Sequence, residues 1–156
     1  MNDAPNDNPG VLIFPPLLFL ICVAGGVLAY LVYPFRLSVG PWPRGLGGVL
    51  VLAAIALALW GQRKMKAAGT NIHPNLPATA VVSDGPFAFT RNPLYVSLLG
   101  MFAGIGLALA SVTFLAVLVP LALVLHFGVV LREERYLEAK FGDAYRSYKS
   151  RVSRWI

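Results

Sequence analysis

Charge is scarce in this sequence, and acid is scarcer still. Its 156 residues hold seven Asp and Glu against thirteen Lys and Arg, with one cysteine and two histidines. A single cysteine, Cys22, excludes an intramolecular disulfide, and a Cys-based metal centre lacks its ligands. His73 and His126 share no metal-ligand spacing. Gly104-Ile105-Gly106 fails as a dinucleotide fingerprint, because it lies inside an apolar run with no strand before it. No serine sits in a nucleophile elbow.

What is present is apolar length. Hydrophobic residues make up 57% of the chain and charged ones 13%, about half the ~25% usual in soluble domains. Four blocks carry no charge at all: residues 11–33, 46–60, 94–110 and 112–131. Crossing a ~30 Å hydrocarbon core takes roughly 17–25 such residues. The pattern predicts an all-α integral membrane protein with four transmembrane helices, at about 11–33, 45–61, 93–110 and 112–131. Residues 132–156 follow as a C-terminal amphipathic interfacial helix. Residues 1–10, polar with two prolines, are expected to be disordered, and residues 11–156 form one domain. The first block is too long for a signal-peptide core and lacks a basic residue before it, so it reads as a retained helix. Pro15 and Pro16 sit near its start, where a missing N–H costs least.

The net charge of +6 is distributed unevenly. With four spans, one side receives Arg63, Lys64, Lys66, Arg91 and seven cations from Arg132 to Arg154, whereas the other receives Arg36 and Arg44. This asymmetry puts both termini in the cytoplasm, at the inner membrane in a bacterium. It also explains the basicity without nucleic acid, since basic flanks meet anionic headgroups. The connection at residues 33–45 is tight, with Trp42 placed as an interfacial anchor, and the spans around Ser111 should form a helical hairpin. Gly100 and Gly104 suit small-residue helix packing. In the tail, Tyr136, Leu137, Phe141, Tyr145, Tyr148 and Val152 share an apolar stripe that Gly142 breaks or bends.

Polar residues at the ends of the apolar blocks are the candidates for chemistry. Glu133 and Glu134 lie where the fourth block ends. They are either a functional pair or a solvated helix end neutralised by Arg132 and Arg135. His126 precedes Glu133 by two turns, so that His126, Val130, Glu133 and Leu137 define one helical stripe. Its alternative role is a bond to a neighbouring helix. Arg91 either snorkels to the interface or offers a fork to a carboxylate. The second reading gains from Asn92, placed as N-cap or ligand amide, and from Pro93 in the first turn, with Tyr95 half a turn on. The free N–H groups of a helix start also favour an anion.

Three segments in order, RKMKAAGTNI (63–72), VSDGPFAFTRNPLYVS (82–97) and EERYLEAKFGDAYRSYKSRV (133–152), resemble the isoprenylcysteine carboxyl methyltransferase family. The resemblance covers the chain from Gly61 onward. It rests on an R-[HN]-P-x-Y element after a Gly-Pro-aromatic turn and on E-E-x-x-L-x-x-x-F-G-x-x-Y-x-x-Y. It implies an integral membrane methyltransferase that uses S-adenosylmethionine without a Rossmann domain, acting on a lipophilic acceptor such as an isoprenylcysteine-like carboxylate. A lipid amine, as in the related phospholipid N-methyltransferases, is the alternative acceptor. Arg91 and Glu134 are then the candidate catalytic residues. Asn92, Pro93, Tyr95, His126, Val130, Glu133, Tyr136, Leu137 and Tyr145 are the candidate cofactor-binding residues. Two positions depart from the eukaryotic members, which have histidine at Asn92 and glycine at Ser97. The competing classes are a nicotinamide-dependent membrane reductase of the sterol reductase type and a non-catalytic four-helix lipid-binding scaffold.

Overall fold

The computed structural model describes residues 7–37 and 40–156, so of residues 1–10, expected to be disordered, 1–6 lie outside the described residues. The long regular elements of the described chain are all helices: α1 (Pro15–Val32), α2 (Trp42–Ala67), α3 (Pro93–Ala108), α4 (Val112–Leu125), α5 (Leu131–Phe141) and α6 (Asp143–Arg151). Prolines open α1, α2 and α3 in their first turn, where the N–H they lack would have no intrahelical partner. A wide π turn, His126–Val130, joins α4 to α5, so residues Val112–Phe141 run as one rod. The interior Pro120 is accommodated within α4.

Among the described residues, three helices are long and apolar enough to cross a membrane: Pro15–Val32, Trp42–Ala67 and Val112–Phe141. The fourth apolar helix, α3, has 16 residues, which spans about 24 Å at 1.5 Å per residue. It lies tightly on α2 because glycines remove the side chains between them. A Cβ on Gly47 would stand 2.4 Å from the Ala108 nitrogen, and one on Gly104 would stand 2.9 Å from the Gly47 carbonyl. Gly100 rests less closely, with the Ala54 methyl 3.5 Å from where its Cβ would be. Gly47 carries the closest approach, and no local pattern in the sequence marks it.

The hairpin between α3 and α4 turns on Ala110, in the left-handed region at φ 48°, and Ser111 caps α4 by accepting from the Phe114 N–H at 3.1 Å. Leu18, Phe102, Phe114, Leu121, Leu125, Val129 and Val130 form the bundle core, with Phe102 and Phe114 stacked at 4.5 Å. Leu20, Leu28, Leu31, Leu52, Leu59, Val119 and Leu123 face outward, as lipid-facing positions should.

The tail departs from a single interfacial helix. Gly142, at φ +53°, breaks it into the end of the long rod and α6. Its aromatic face does not lie on lipid: Tyr145 and Tyr148, with Leu137, Phe141 and Val152, pack on Val82 and Phe87 of the loop between α2 and α3. That loop carries its own apolar side chains, so the stripe is covered by protein. Residues 7–12 are held as well, with Arg132 donating to the Gly10 carbonyl and the Leu12 N–H donating to Gly128.

Candidate functional site

The loop from Ala68 to Asn92 and the tail enclose one end of the bundle. The Ser83-Asp84-Gly85-Pro86 turn forms as its residues dictate. Gly85 adopts φ +60°, Asp84 pairs with Lys64, and a 3-10 turn covers Gly85–Ala88. The Tyr148 hydroxyl donates to the Phe87 carbonyl at 2.8 Å and pins the turn to α6. Thr90, Arg91 and Asn92 then lead into α3 with Pro93 as its first residue. Asn92 occupies the N-cap position, but its amide is used elsewhere: Nδ2 donates to the Arg154 carbonyl at 2.9 Å.

Beneath this cover lies a cavity of about 130 Å³. Arg91, Asn92, Pro93, Tyr95, Glu133, Glu134, Tyr136, Leu137 and Tyr145 all line it. Segments far apart in sequence therefore meet around one space. A second, larger cavity of about 330 Å³ adjoins it between the starts of α1 and α3 and the end of α2. Ile72, His73, Pro74, Leu94 and Tyr95 belong to the walls of both.

The two glutamates differ in company. Glu133 accepts the Tyr95 hydroxyl at 2.6 Å. Glu134, 4% exposed, takes a fork from Arg154, whose Nε and Nη2 reach its two oxygens at 2.9 Å each. Arg91 approaches the same carboxylate from the cavity side, with Nη1 3.3 Å from Oε1. Its Nε and Nη1 are buried without a hydrogen-bond partner among the described residues. Two guanidinium groups thus face one carboxylate, and Arg91, the one that lines the cavity, is left with unmet donors. Above it, burial first, and then the nearby Glu134 charge, push the Tyr145 hydroxyl up to about 12, so it is a neutral phenol at physiological pH. Tyr145 meets Tyr148 edge-on at 6.0 Å.

The outer edge of the cavity is closed by Tyr136. Its hydroxyl donates to Asp7 at 2.7 Å and accepts from the Ala78 N–H at 3.1 Å and from Lys140 at 3.0 Å. Lys140 also binds both Asp7 oxygens, at 2.8 and 2.6 Å. His73 stacks on Phe14 at 4.5 Å, where the loop meets the start of α1.

His126 and Val130 do not reach the cavity. The π turn places an extra residue in that helical turn, which rotates everything downstream and breaks the stripe that regular α spacing predicts. His126 instead accepts from the Trp155 indole at 3.3 Å and meets Phe127 edge-on. Val130 is fully buried in the bundle core. Arg154, by contrast, was not singled out from the sequence, because its partner Glu134 lies 20 residues away with no local pattern to mark the pair. Among the described residues no group of His, Cys, Asp and Glu could hold a metal ion.

Residues 42–144 match the phospholipid methyltransferase family. A stretch of 64 residues, 40% of this chain, is 42% identical to the whole of an uncharacterized protein of Haemophilus influenzae. No solved structure matches. The family match runs from the first residue of α2 into α6, and so takes in both glutamates, Arg91 and the loop over the cavity. It favours neither a reductase nor a scaffold. The isoprenylcysteine carboxyl methyltransferases, whose motifs the chain resembles, are related membrane methyltransferases. The chain belongs to the phospholipid methyltransferase family, membrane methyltransferases of lipid-like substrates.

Proposed function

We propose that the protein transfers a methyl group from S-adenosylmethionine to a lipophilic acceptor at the cytoplasmic face of the membrane. The observation that carries this reading is the cavity whose wall combines unmet guanidinium donors, two glutamates and tyrosines, beside a more apolar cavity. S-adenosylmethionine supplies an electrophilic methyl on a sulfonium, together with an ammonium and a carboxylate. Aromatic rings and carboxylates such as Tyr145 and Glu133 favour the cationic groups. Arg91 faces the carboxylate with a fork of donors. The first cavity is smaller than the ~300–1,000 Å³ of most small-molecule sites. In this reading the loop at residues 70–81, which lines the cavity, moves outward on loading.

The apolar part of the acceptor occupies the second cavity, between the starts of α1 and α3. Its nucleophile then lies near Tyr95, whose side chain borders both spaces. Holding that nucleophile in line with the S–CH3 bond supplies most of what methyl transfer asks of a protein. The acceptor group is a carboxylate, as on an isoprenylcysteine-like molecule, or a lipid amine. In this reading α3 crosses the bilayer beside α2 as a fourth, short span, with a locally thinned bilayer. Both chain ends and the cavity then face the cytoplasm, in keeping with the basic residues gathered there.

Calorimetric titration of the detergent-purified protein with S-adenosylmethionine and with its demethylated product tests the cofactor. Heat of binding is expected with both, and absence of binding to either sinks the proposal. Transfer of labelled methyl to a total lipid extract and to small prenylated thiols, with product identification, separates amine from carboxylate acceptors.

A further inference from the structure

Residues 152–155 do not line the cavity, but they are bonded to residues that do. After α6 the backbone turns extended at Val152 (φ −124°, ψ 132°), and residues 153–155 return along the start of α3. The Arg91 N–H donates to the Ser153 carbonyl at 2.9 Å. The Arg154 carbonyl accepts from Asn92 Nδ2 at 2.9 Å and from Thr90 Oγ1 at 3.1 Å. Trp155 is tied to His126 of the π turn through its indole N–H. Four hydrogen bonds thus fix a short segment across three consecutive residues of the loop and one turn of the long rod.

Held this way, the segment directs the Arg154 side chain onto Glu134. Its fork takes both carboxylate oxygens at 2.9 Å. Arg91, which approaches from the opposite side, finds that geometry already filled. Its Nη1 stands 3.3 Å from Oε1 outside hydrogen-bonding geometry, and Nε and Nη1 have no partner among the described residues. The Arg91 side chain is 8% exposed and that of Arg154 32%. The more solvated guanidinium therefore satisfies the acid, while the buried one is left facing the cavity. A buried donor without a partner is costly, so this arrangement is stable only when an anion completes it or the surroundings hold it fixed.

We infer that Arg154 is a positioning residue that keeps the Arg91 guanidinium available to an anionic group in the cavity. On the methyltransferase reading, on which this rests, that group is the carboxylate of S-adenosylmethionine. Without Arg154, Glu134 is the nearest partner for Arg91. A fork between them would neutralise the wall and draw the donors away from the ligand.

The test compares S-adenosylmethionine with its decarboxylated analogue, which keeps the sulfonium and adenosine but lacks the carboxylate, by calorimetry on the full chain in detergent. Wild type should bind S-adenosylmethionine more tightly than the analogue. Arg154→Ala should weaken S-adenosylmethionine by about tenfold or more, the scale of a lost charge-assisted hydrogen bond, while leaving the analogue nearly unchanged. Arg154→Lys, which keeps the charge but not the fork, should fall between them. If the alanine variant does not fold, Arg154→Gln retains the stem and one donor pair and should show the same selective loss. Equal weakening of both ligands, or of neither, overturns the inference. A wild-type protein that binds neither ligand overturns the methyltransferase reading itself, and the inference with it.

Discussion

The inner wall and the outer rim of the cavity are built alike and behave differently. Inside, Glu134 sits between Arg91 and Arg154; at the rim, Asp7 sits between Lys140 and the Tyr136 hydroxyl. Each cluster ties together segments remote in sequence. The inner carboxylate is 6% exposed as a side chain and the outer one 55%. Charges removed from water depend wholly on their partners, whereas exposed pairs are screened and contribute little. The inner cluster can therefore set what the cavity binds, and the outer cluster is weak enough to open.

The largest effect expected from breaking this contrast is at Glu134. Glu134→Ala leaves the buried Arg91 beside a second guanidinium with no acid between them. Losing one partner of a buried ion pair costs about 3–5 kcal/mol, and this should register as a marked fall in thermal unfolding temperature in detergent. Lys140→Ala, the corresponding deletion at the rim, should leave that temperature unchanged. Equal shifts for the two variants would show that burial does not separate the clusters.

The same contrast governs what could be read from the sequence. Apolar runs located the helices, because length and absence of charge are local properties. The Gly-Pro turn and the proline at the start of α3 were legible for the same reason. Arg91, Asn92, Tyr95 and the two glutamates stood out as polar groups at the ends of apolar blocks. The fork from Arg154 to Glu134 was not legible, since nothing local distinguishes one arginine of a basic tail from the next. The π turn was equally hidden: His126 and Val130 fit an α-helical stripe with Glu133, and one extra residue in the turn removes them from it. The tail's aromatic stripe was visible, but the sequence offered lipid as its cover where the structure supplies Val82 and Phe87.

A smaller effect is expected at Glu133, the second acid of the inner wall. Tyr95→Phe removes its hydroxyl donor at 2.6 Å while keeping the ring that separates the two cavities. A buried acceptor that loses its partner costs about 1–3 kcal/mol, so the variant should unfold at a lower temperature than wild type but above Glu134→Ala. Methyl transfer should fall more than S-adenosylmethionine affinity, because Arg91 and Arg154, which face its carboxylate, are untouched. A loss of affinity as large as that of Arg154→Ala would mean that Tyr95 shapes the cofactor side instead.

The smallest effect on stability, and the most telling for access, is expected at Asp7. Asp7→Asn removes the charge that holds Lys140 and leaves the Tyr136 hydroxyl a weaker, neutral acceptor, while the inner wall stays intact. Unfolding temperature and equilibrium affinity should barely move, and S-adenosylmethionine should associate and dissociate faster in stopped-flow measurements. The Ala78 amide, held by the same Tyr136 hydroxyl, should exchange its hydrogen faster. The pH dependence has a definite sign. Hydrogen bonds from Lys140 and then Tyr136 hold the Asp7 carboxyl below its ordinary value of 3.8. The contact is therefore fully formed above that ordinary value and is lost only as pH falls through the lowered one. Association rates of wild type and Asp7→Asn should differ by a constant factor from neutral pH down to about pH 5 and converge only in stronger acid. Convergence already at pH 6 would mean that a different group closes the rim.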